Sequence, residues 1–238
     1  MSNKFDSLAA KTIGMNAGAS VVGIAVSSDF QYAPDGCKPT DVLENCRSVI
    51  VLGIPFSPEA LGMSPPGYTE LRNAFVTKMT DLAKAVSKLI AKESGHKTKA
   101  ISVTGGKTID GSFYGAISLK HAAELAGIGV ITRNYLLTSP DYGNLLWLSA
   151  VLTDIDLVPD KKLSCSFCDN CNKCVEVCPS GALNDPASFD KKECRKYFAM
   201  EDKKLLIKCY SCRAVCPHRF GKANSPGSAA HVPKGKII

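Results

Sequence analysis

The chain has 238 residues, room for one large domain or two smaller ones. Of these, 45% are hydrophobic and 21% charged, the balance of a globular protein with its own core. No apolar stretch approaches the roughly 20 residues that a bilayer span needs. The N-terminus MSNKFDSLAAKTIG lacks the apolar core of a secretory signal, so the sequence reads as cytoplasmic, with no membrane partner. Eleven cysteines without an export signal argue against a disulfide framework, because the cytosol keeps thiols reduced.

In chain order, residues 5–17 read as an opening helix, and Val21 to Val26 (VVGIAV) as a strand. Asp41 and Glu44 make a capping-box-like start to a short helix. Ser48 to Phe56 reads as a buried strand. Pro55, Pro58, Pro65 and Pro66 then predict a long loop suited to a lid or pocket wall. Leu71, Phe75, Met79, Leu82, Val86, Leu89 and Ile90 recur at three- and four-residue steps, an amphipathic helix ended by Gly95. A strand at Lys99 to Thr104, a Gly-Gly turn, a helix from Ile117 to Ala126 with Gly127 after it, and a strand at Leu145 to Thr153 follow. The pattern predicts a layered α+β or α/β domain over residues 1–158, its sheet order open. A polar linker, TDIDLVPDKK, leads into a cysteine-rich lobe (residues 159–221) and a Gly-, Pro- and Lys-rich surface tail (222–238).

Nine of the eleven cysteines lie between Cys165 and Cys216. Cys168, Cys171, Cys174 and Cys178-Pro179 have the C-x2-C-x2-C-x3-C-P spacing of bacterial ferredoxins. Cys209, Cys212 and Cys216-Pro217 repeat its end, with Cys194 between the two runs. Three thiolates at two-residue gaps wrap one cubane face, and the fourth, after a turn of helix, points to the neighbouring cluster. The spacing therefore assigns one [4Fe–4S] cluster to Cys168, Cys171, Cys174 and Cys216. The other goes to Cys178, Cys194, Cys209 and Cys212. Zinc is the competing metal, but its knuckles require neither a third cysteine two residues on nor the proline. Cys165 lies outside the spacing, and Cys37 and Cys46 read as buried structural thiols. His121 and His218 read as packed or solvent histidines.

After residue 160 there are 15 Lys/Arg against 7 Asp/Glu, a net +8. The excess solubilises the lobe, offsets cluster charge, and is placed to steer an acidic electron donor such as a ferredoxin or flavodoxin. It lacks the interleaved aromatic residues that stack RNA bases.

Ser118 to Asp154 resembles the segment that precedes the clusters in epoxyqueuosine reductases, cobalamin-dependent enzymes that remove an epoxide oxygen in queuosine synthesis on tRNA. The matching residues are Ala126-Gly127-Ile128-Gly129, Asn134, Leu136-Leu137, Pro140, Tyr142-Gly143 and Leu152-Thr153, together with the eight assigned cysteines. The resemblance implies a nitroreductase-like α/β sandwich holding a corrinoid, followed by a bacterial ferredoxin-like domain with two clusters that deliver electrons to cobalt. Reductive dehalogenases are similar in plan. The family's proton-donating aspartate falls on Phe113, which makes Asp110 and Tyr114 the candidate catalytic residues. The family's Gly-Lys-Asn is Thr132-Arg133-Asn134, so Arg133, Asn134, Leu137 and Tyr142 are the cofactor-pocket candidates. The family's glutamate near the last strand is Ala150 here. The sequence stops soon after the cysteines, short of the helical-repeat region that holds tRNA in the family. Both a small molecule and a modified nucleoside thus stand as substrate classes, with tRNA as the family's partner. A flavin in the sandwich is the alternative cofactor. The alternative function is an electron-transfer protein, or a corrinoid-activating partner with no substrate chemistry of its own.

Overall fold

A computed structural model describes residues 5–223 except 102, 105, 110, 111, 186, 187, 202 and 203. Helix α1 (Ser7–Asn16) starts where the Asp6 carboxylate accepts from the Ala9 N–H at 2.8 Å, a side-chain cap on an otherwise orphan donor. It is followed by β1 (Val21–Val26) and the short α2 (Pro39–Val42). Asp41 is the third residue of α2 rather than its cap: Pro39 opens the helix, and the Asp41 carboxylate reaches back to the Lys38 N–H at 2.9 Å.

After β2 (Ser48–Pro55), the proline-rich stretch is structured rather than a long loop. Residues Pro58–Gly62 form a 3₁₀ turn, and α3 (Pro65–Ser94) begins at the last prolines. A proline at the first helical position loses no intrahelical bond, and the Ser64 hydroxyl accepts from the Gly67 N–H, so these prolines start the helix. Gly95, left-handed at φ +72°, ends it.

The strand β3 (Thr98–Ile101) leads to a hairpin of β4 (Gly106–Ile109) and β5 (Ser112–Gly115). Then come α4 (Leu119–Leu125), a ribbon of β6 (Val130–Ile131) and β7 (Leu137–Thr138), and β8 (Leu146–Thr153). The hairpin and ribbon lack the apolar alternation that marks a strand in a sequence. The main sheet runs β1-β2-β8-β3, antiparallel throughout. Its central strands bury both faces. Val49 and Val51 pack toward Ala122, Ala123 and Ile128 of α4 and the turn after it. Ile50 and Ile54, pointing the other way, meet Ala10 and Ile13 of α1 and Met79, Val86 and Ile90 of α3. The result is helix layers on both sides of one sheet, each fully buried side chain contributing about 1.5–3 kcal/mol.

The stretch expected to be a polar linker is pinned to this layer. Ile155 and Leu157 are buried beneath the sheet. Asp160 exchanges main-chain and carboxylate bonds with Ile24 at 2.9 Å and holds Lys11 at 2.6 Å. The apolar alternation of Ile155 and Leu157 was masked by Asp154 and Asp156, which interleave with them.

The cysteine-rich lobe contains α5 (Lys173–Glu176), α6 (Lys191–Arg195), the hairpin β9 (Phe198–Glu201) and β10 (Lys204–Ile207), and α7 (Ser211–Ala214). It docks on the start of α3. The Ile207 N–H donates to Thr69 Oγ1 at 2.9 Å, and the Tyr68 and Tyr210 rings stack at 4.1 Å. Phe56, Leu145 and Ile207 fill the seam. No helix among the described residues is long and apolar enough to cross a membrane.

Candidate metal centre and adjoining cavities

The two cysteine arms are built alike: a tight turn, one turn of helix, then Cys-Pro. In the first, the Cys171 N–H donates to the Cys168 carbonyl at 3.1 Å, and α5 carries Cys174. In the second, α7 carries Cys212, and α5 packs on α7. Short helices at two-residue cysteine spacing turn several thiols inward, and proline after the last cysteine ends the turn.

The fold brings the eight thiols of the spacing into two sets. Cys174 has the thiols of Cys168, Cys216 and Cys171 as charge neighbours, and Cys216 has Cys168 and Cys171. Cys194 has Cys209 and Cys178, and Cys212 has Cys194 and Cys209. Cys212 also feels Cys174, where the sets adjoin. Burial first, and then these neighbouring thiols, push up the Cys174, Cys194 and Cys216 thiols, and Cys212 is pushed up to about 12. At Cys178 burial acts in the same upward sense. Bonds from the Ser180 hydroxyl and amide and from the Ala182 and Leu183 amides outweigh it, so that thiol is lowered. Cys174, Cys194, Cys212 and Cys216 therefore resist ionisation while bare, and a donor set of this kind fits a group that brings its own positive metal. Among the described residues, no three His, Cys, Asp or Glu side chains close around a single ion. Thiolates on the corners of a cubane stand further apart than ligands of one ion. Cys165 is exposed, and Cys37 and Cys46 are buried away from both sets.

Around the thiols lie features that the cysteine spacing did not reveal. Lys120 is half-buried, its ammonium disfavoured first by desolvation and then by Lys191 and Arg213, while the Cys194 and Cys212 thiols favour it. It donates to the Tyr135 carbonyl, and Arg213 donates to the Asn144 carbonyl. Asn144 is buried, donating through Nδ2 to Arg213 O at 3.2 Å and through its own N–H to Arg219 O at 3.1 Å. No periodicity marks a half-buried lysine or a buried asparagine at a seam.

Of the cofactor-pocket candidates, Asn134 is 5% exposed. Its Oδ1 accepts from Thr132 Oγ1 at 3.0 Å and Leu136 N at 3.1 Å, and its Nδ2 donates to the Cys212 carbonyl at 3.1 Å. The Arg133 N–H points at Cys168 Sγ at 3.5 Å. Leu137 lies in the core beside α4, and the Tyr142 hydroxyl donates to Ser20 O at 3.0 Å. Of the catalytic candidates, Tyr114 lies on β5 with the Lys191 ammonium 5.3 Å from its ring centre. Asp110 lies outside the described residues. Phe113, at the family's aspartate position, accepts from the Lys191 ammonium through its carbonyl and has Arg195 5.7 Å over its ring. His121 meets the Ser118 hydroxyl at 2.6 Å, and the His218 ring leans on Phe167.

Two cavities meet at Lys120, Tyr135 and Phe189, and the smaller reaches the second set. The smaller, about 310 Å³, has Cys178, Cys194, Cys209 and Cys212 on one wall, and Tyr68, Arg72 and Trp147 among its other lining residues. The larger, about 950 Å³, is lined by Tyr114, Ser118, Lys162 and Lys192 among others. Lys120, Tyr135 and Phe189 line both. Tyr135 and Phe189 stack at 5.2 Å, and Tyr135 holds a left-handed backbone at φ 56°, an uncommon conformation for an aromatic residue.

Residues 167–220 match the 4Fe-4S dicluster domain family. The epoxyqueuosine reductase of Bacillus subtilis (strain 168) is 32% identical over 119 residues, 45% of this chain and 31% of that relative. The epoxyqueuosine reductase of Gloeobacter violaceus is 27% identical over 225 residues, 89% of this chain and 68% of the relative. The chain spans about a third of the length of the first curated relatives it matches. Among solved structures, an epoxyqueuosine reductase with an epoxyqueuosine-modified tRNA stem loop aligns at TM-score 0.61 and 18% identity, over 88% of this chain and 64% of that one. A reductive dehalogenase described as B12-dependent aligns at TM-score 0.65 and 19% identity, over 93% of this chain and 32% of its own. At those identities the structures speak for the fold, a mixed α/β layer followed by a ferredoxin-like lobe. In sequence and in fold, the chain is epoxyqueuosine reductase-like, with a 4Fe-4S dicluster domain at its cysteine-rich end.

Proposed function

We propose that the chain is an iron–sulfur oxidoreductase. In this reading residues 159–221 hold two [4Fe–4S] clusters, and residues 1–158 hold a corrinoid used for reductive chemistry. The observation that carries it is the sorting of eight thiols into two adjoining sets, one of them facing a cavity. Cys168, Cys171, Cys174 and Cys216 would hold one cluster, and Cys178, Cys194, Cys209 and Cys212 the other. When bound, the clusters supply one-electron transfer and a corrinoid supplies a cobalt centre for reductive bond cleavage. Lys120 and Arg213 offset negative charge at the second set, and the Tyr135–Phe189 pair keeps water from its edge. The larger cavity suits a corrinoid: its volume is that of a large ligand site, Lys162 and Lys192 suit a phosphate-bearing tail, and Ser118 and Ser188 suit peripheral amides. Tyr114, which lines it, would hold a proton, and Asp110 is the sequence's second candidate for that role. The substrate is a reducible small molecule or a modified nucleoside, as on the tRNA stem loop bound by the structural relative. The basic lobe receives an acidic donor such as a ferredoxin or flavodoxin.

Anaerobic reconstitution with iron and sulfide is expected to load about eight irons per chain, four per cubane, after which cob(II)alamin binds stoichiometrically. Iron uptake without corrinoid or flavin binding would reject the enzyme. Phe113 in place of an acid favours a second reading, an electron-transfer or corrinoid-activating protein; turnover of a small substrate without a partner protein would exclude it.

A further inference from the structure

We propose that the side-chain hydroxyls of Ser180 and Ser211 tune the second cluster: each donates to the sulfur of the cysteine two residues before it, Cys178 or Cys209, and together they make that cluster easier to reduce. The inference rests on the proposed function for the cluster and its ligand set, and it names residues of this chain that set the cluster's potential.

Both arms place a hydroxyl in the same way. Ser180 follows Cys178 and Pro179, and its Oγ lies 3.6 Å from Cys178 Sγ. Ser211 opens α7 two residues after Cys209, and its Oγ lies 3.6 Å from Cys209 Sγ. Ser180 Oγ also accepts from the Ala182 N–H at 3.4 Å, which leaves its own hydrogen for the sulfur. Both serines are half-buried, so water competes only in part for those hydrogens.

The direction of these bonds follows from the metal. A bare thiol is both a weak donor and a weak acceptor, so either atom of each pair can carry the hydrogen. A thiolate on iron has no hydrogen and only accepts, so in the loaded protein the hydroxyl is the donor. One electron from the acidic donor takes the [4Fe–4S] core and its four thiolates from about −2 to about −3. No bond breaks, and the hydroxyl hydrogens stay on oxygen. A hydrogen bond to sulfur strengthens as that charge grows, so the reduced state gains more from it than the oxidised one.

Both hydroxyls belong to the same set. The donors found at the first set are N–H groups: the Arg133 amide on Cys168 at 3.5 Å, and the His218 amide and the Asn144 side chain at Cys216. Ser166, in the first arm, turns its hydroxyl to the Asp169 carboxylate at 2.7 Å instead. The serine pair therefore acts on one side of the seam, the side on which Cys178 and Cys209 line the smaller cavity. An electron shared between the two clusters is biased toward that side. The effect adds to the charges of Lys120 and Arg213 at the same set, and it does so without a change in net charge.

The test is an anaerobic, EPR-monitored redox titration of the reconstituted full chain, with iron counted on every sample. Ser180→Ala and Ser211→Ala should each lower the potential of one and the same centre. The expected change in its reduction equilibrium is about three- to tenfold, about 28–59 mV on the one-electron scale. The double variant should shift it further, and Ser180→Thr and Ser211→Thr, which keep the hydroxyl, should stay near the wild type. ENDOR of the reduced centre before and after exchange into deuterium oxide should show exchangeable proton couplings that each alanine removes in part. A serine with a purely structural role would not give that signature. If Ser180→Ala loses iron through its bond to Ala182, Ser211→Ala, outside that turn, decides the matter. Iron-replete alanine variants that shift by less than about twofold, about 18 mV, overturn the proposal. So does a raised potential, an equal shift of both centres, or threonine variants that behave like alanine. Wild type that loads no four-iron centre sinks the cluster reading and this inference with it, whereas loaded protein with unmoved potentials sinks this inference alone.

Discussion

Asn134 joins the α/β layer to the cysteine lobe, and its replacement tests how the metal centre is held. In Asn134→Ala the Leu136 N–H and the Cys212 carbonyl each lose a partner in a buried seam. At about 1–3 kcal/mol for each of the two orphaned groups, the cost is about 2–6 kcal/mol. Thr132 Oγ1 adds little to that sum, because it keeps Thr138 Oγ1 at 3.0 Å and Leu136 O at 3.2 Å. Asn134→Asp separates the two roles. Its carboxylate still accepts from Leu136 and closes the turn, but it cannot donate to Cys212 O and sets a negative charge near thiolates. Anaerobic urea unfolding followed by circular dichroism, with iron counted on the same material, reads both effects. Alanine should lower stability and iron content together, and aspartate should lower iron content more than the turn's loss alone would. A cost below about 0.5 kcal/mol for alanine, the level of an ordinary surface change, would refute the buried bridge. Unchanged stability with weakened cob(II)alamin binding would instead make Asn134 a cofactor contact.

Two further outcomes follow from the same seam. A Cβ at Gly143, where φ is +60°, would lie 2.2 Å from the Arg219 carbonyl oxygen, so Gly143→Ala should part the lobe from the sheet. We expect a loss of about 1–3 kcal/mol from backbone strain alone and a lower iron content by chemical assay; full iron loading would contradict it. Lys120→Gln removes a half-buried cation beside Cys194 and Cys212. It should make the nearby cluster harder to reduce, by tens of millivolts on the scale of about 59 mV per tenfold for one electron, in an EPR-monitored titration. A potential unmoved or raised would place that charge elsewhere.

What was legible in the sequence was mostly periodic or spaced. β1 falls on VVGIAV without error, and β2 and β8 lie within a residue of the apolar runs, because central strands bury both faces and must be apolar throughout. The cysteine arms were legible because thiols at ligand spacing have few other uses. The prolines before α3 were misleading, since proline both ends and opens helices, and only Ser64 and the packing of Tyr68 and Thr69 decide which. The β4–β5 hairpin, the β6–β7 ribbon and the anchored Asp154–Lys162 stretch carry no clean period, so their neighbours define them.

By itself the sequence determined the helices and central strands, and the chemical kind of metal centre, since period and ligand spacing are properties of a short stretch of chain. The tertiary structure decided the sheet order, and that Arg72 and Trp147, 75 residues apart in the chain, line the same cavity as the second cysteine set. Such juxtapositions come from burial of apolar faces across long loops. No local pattern encodes that.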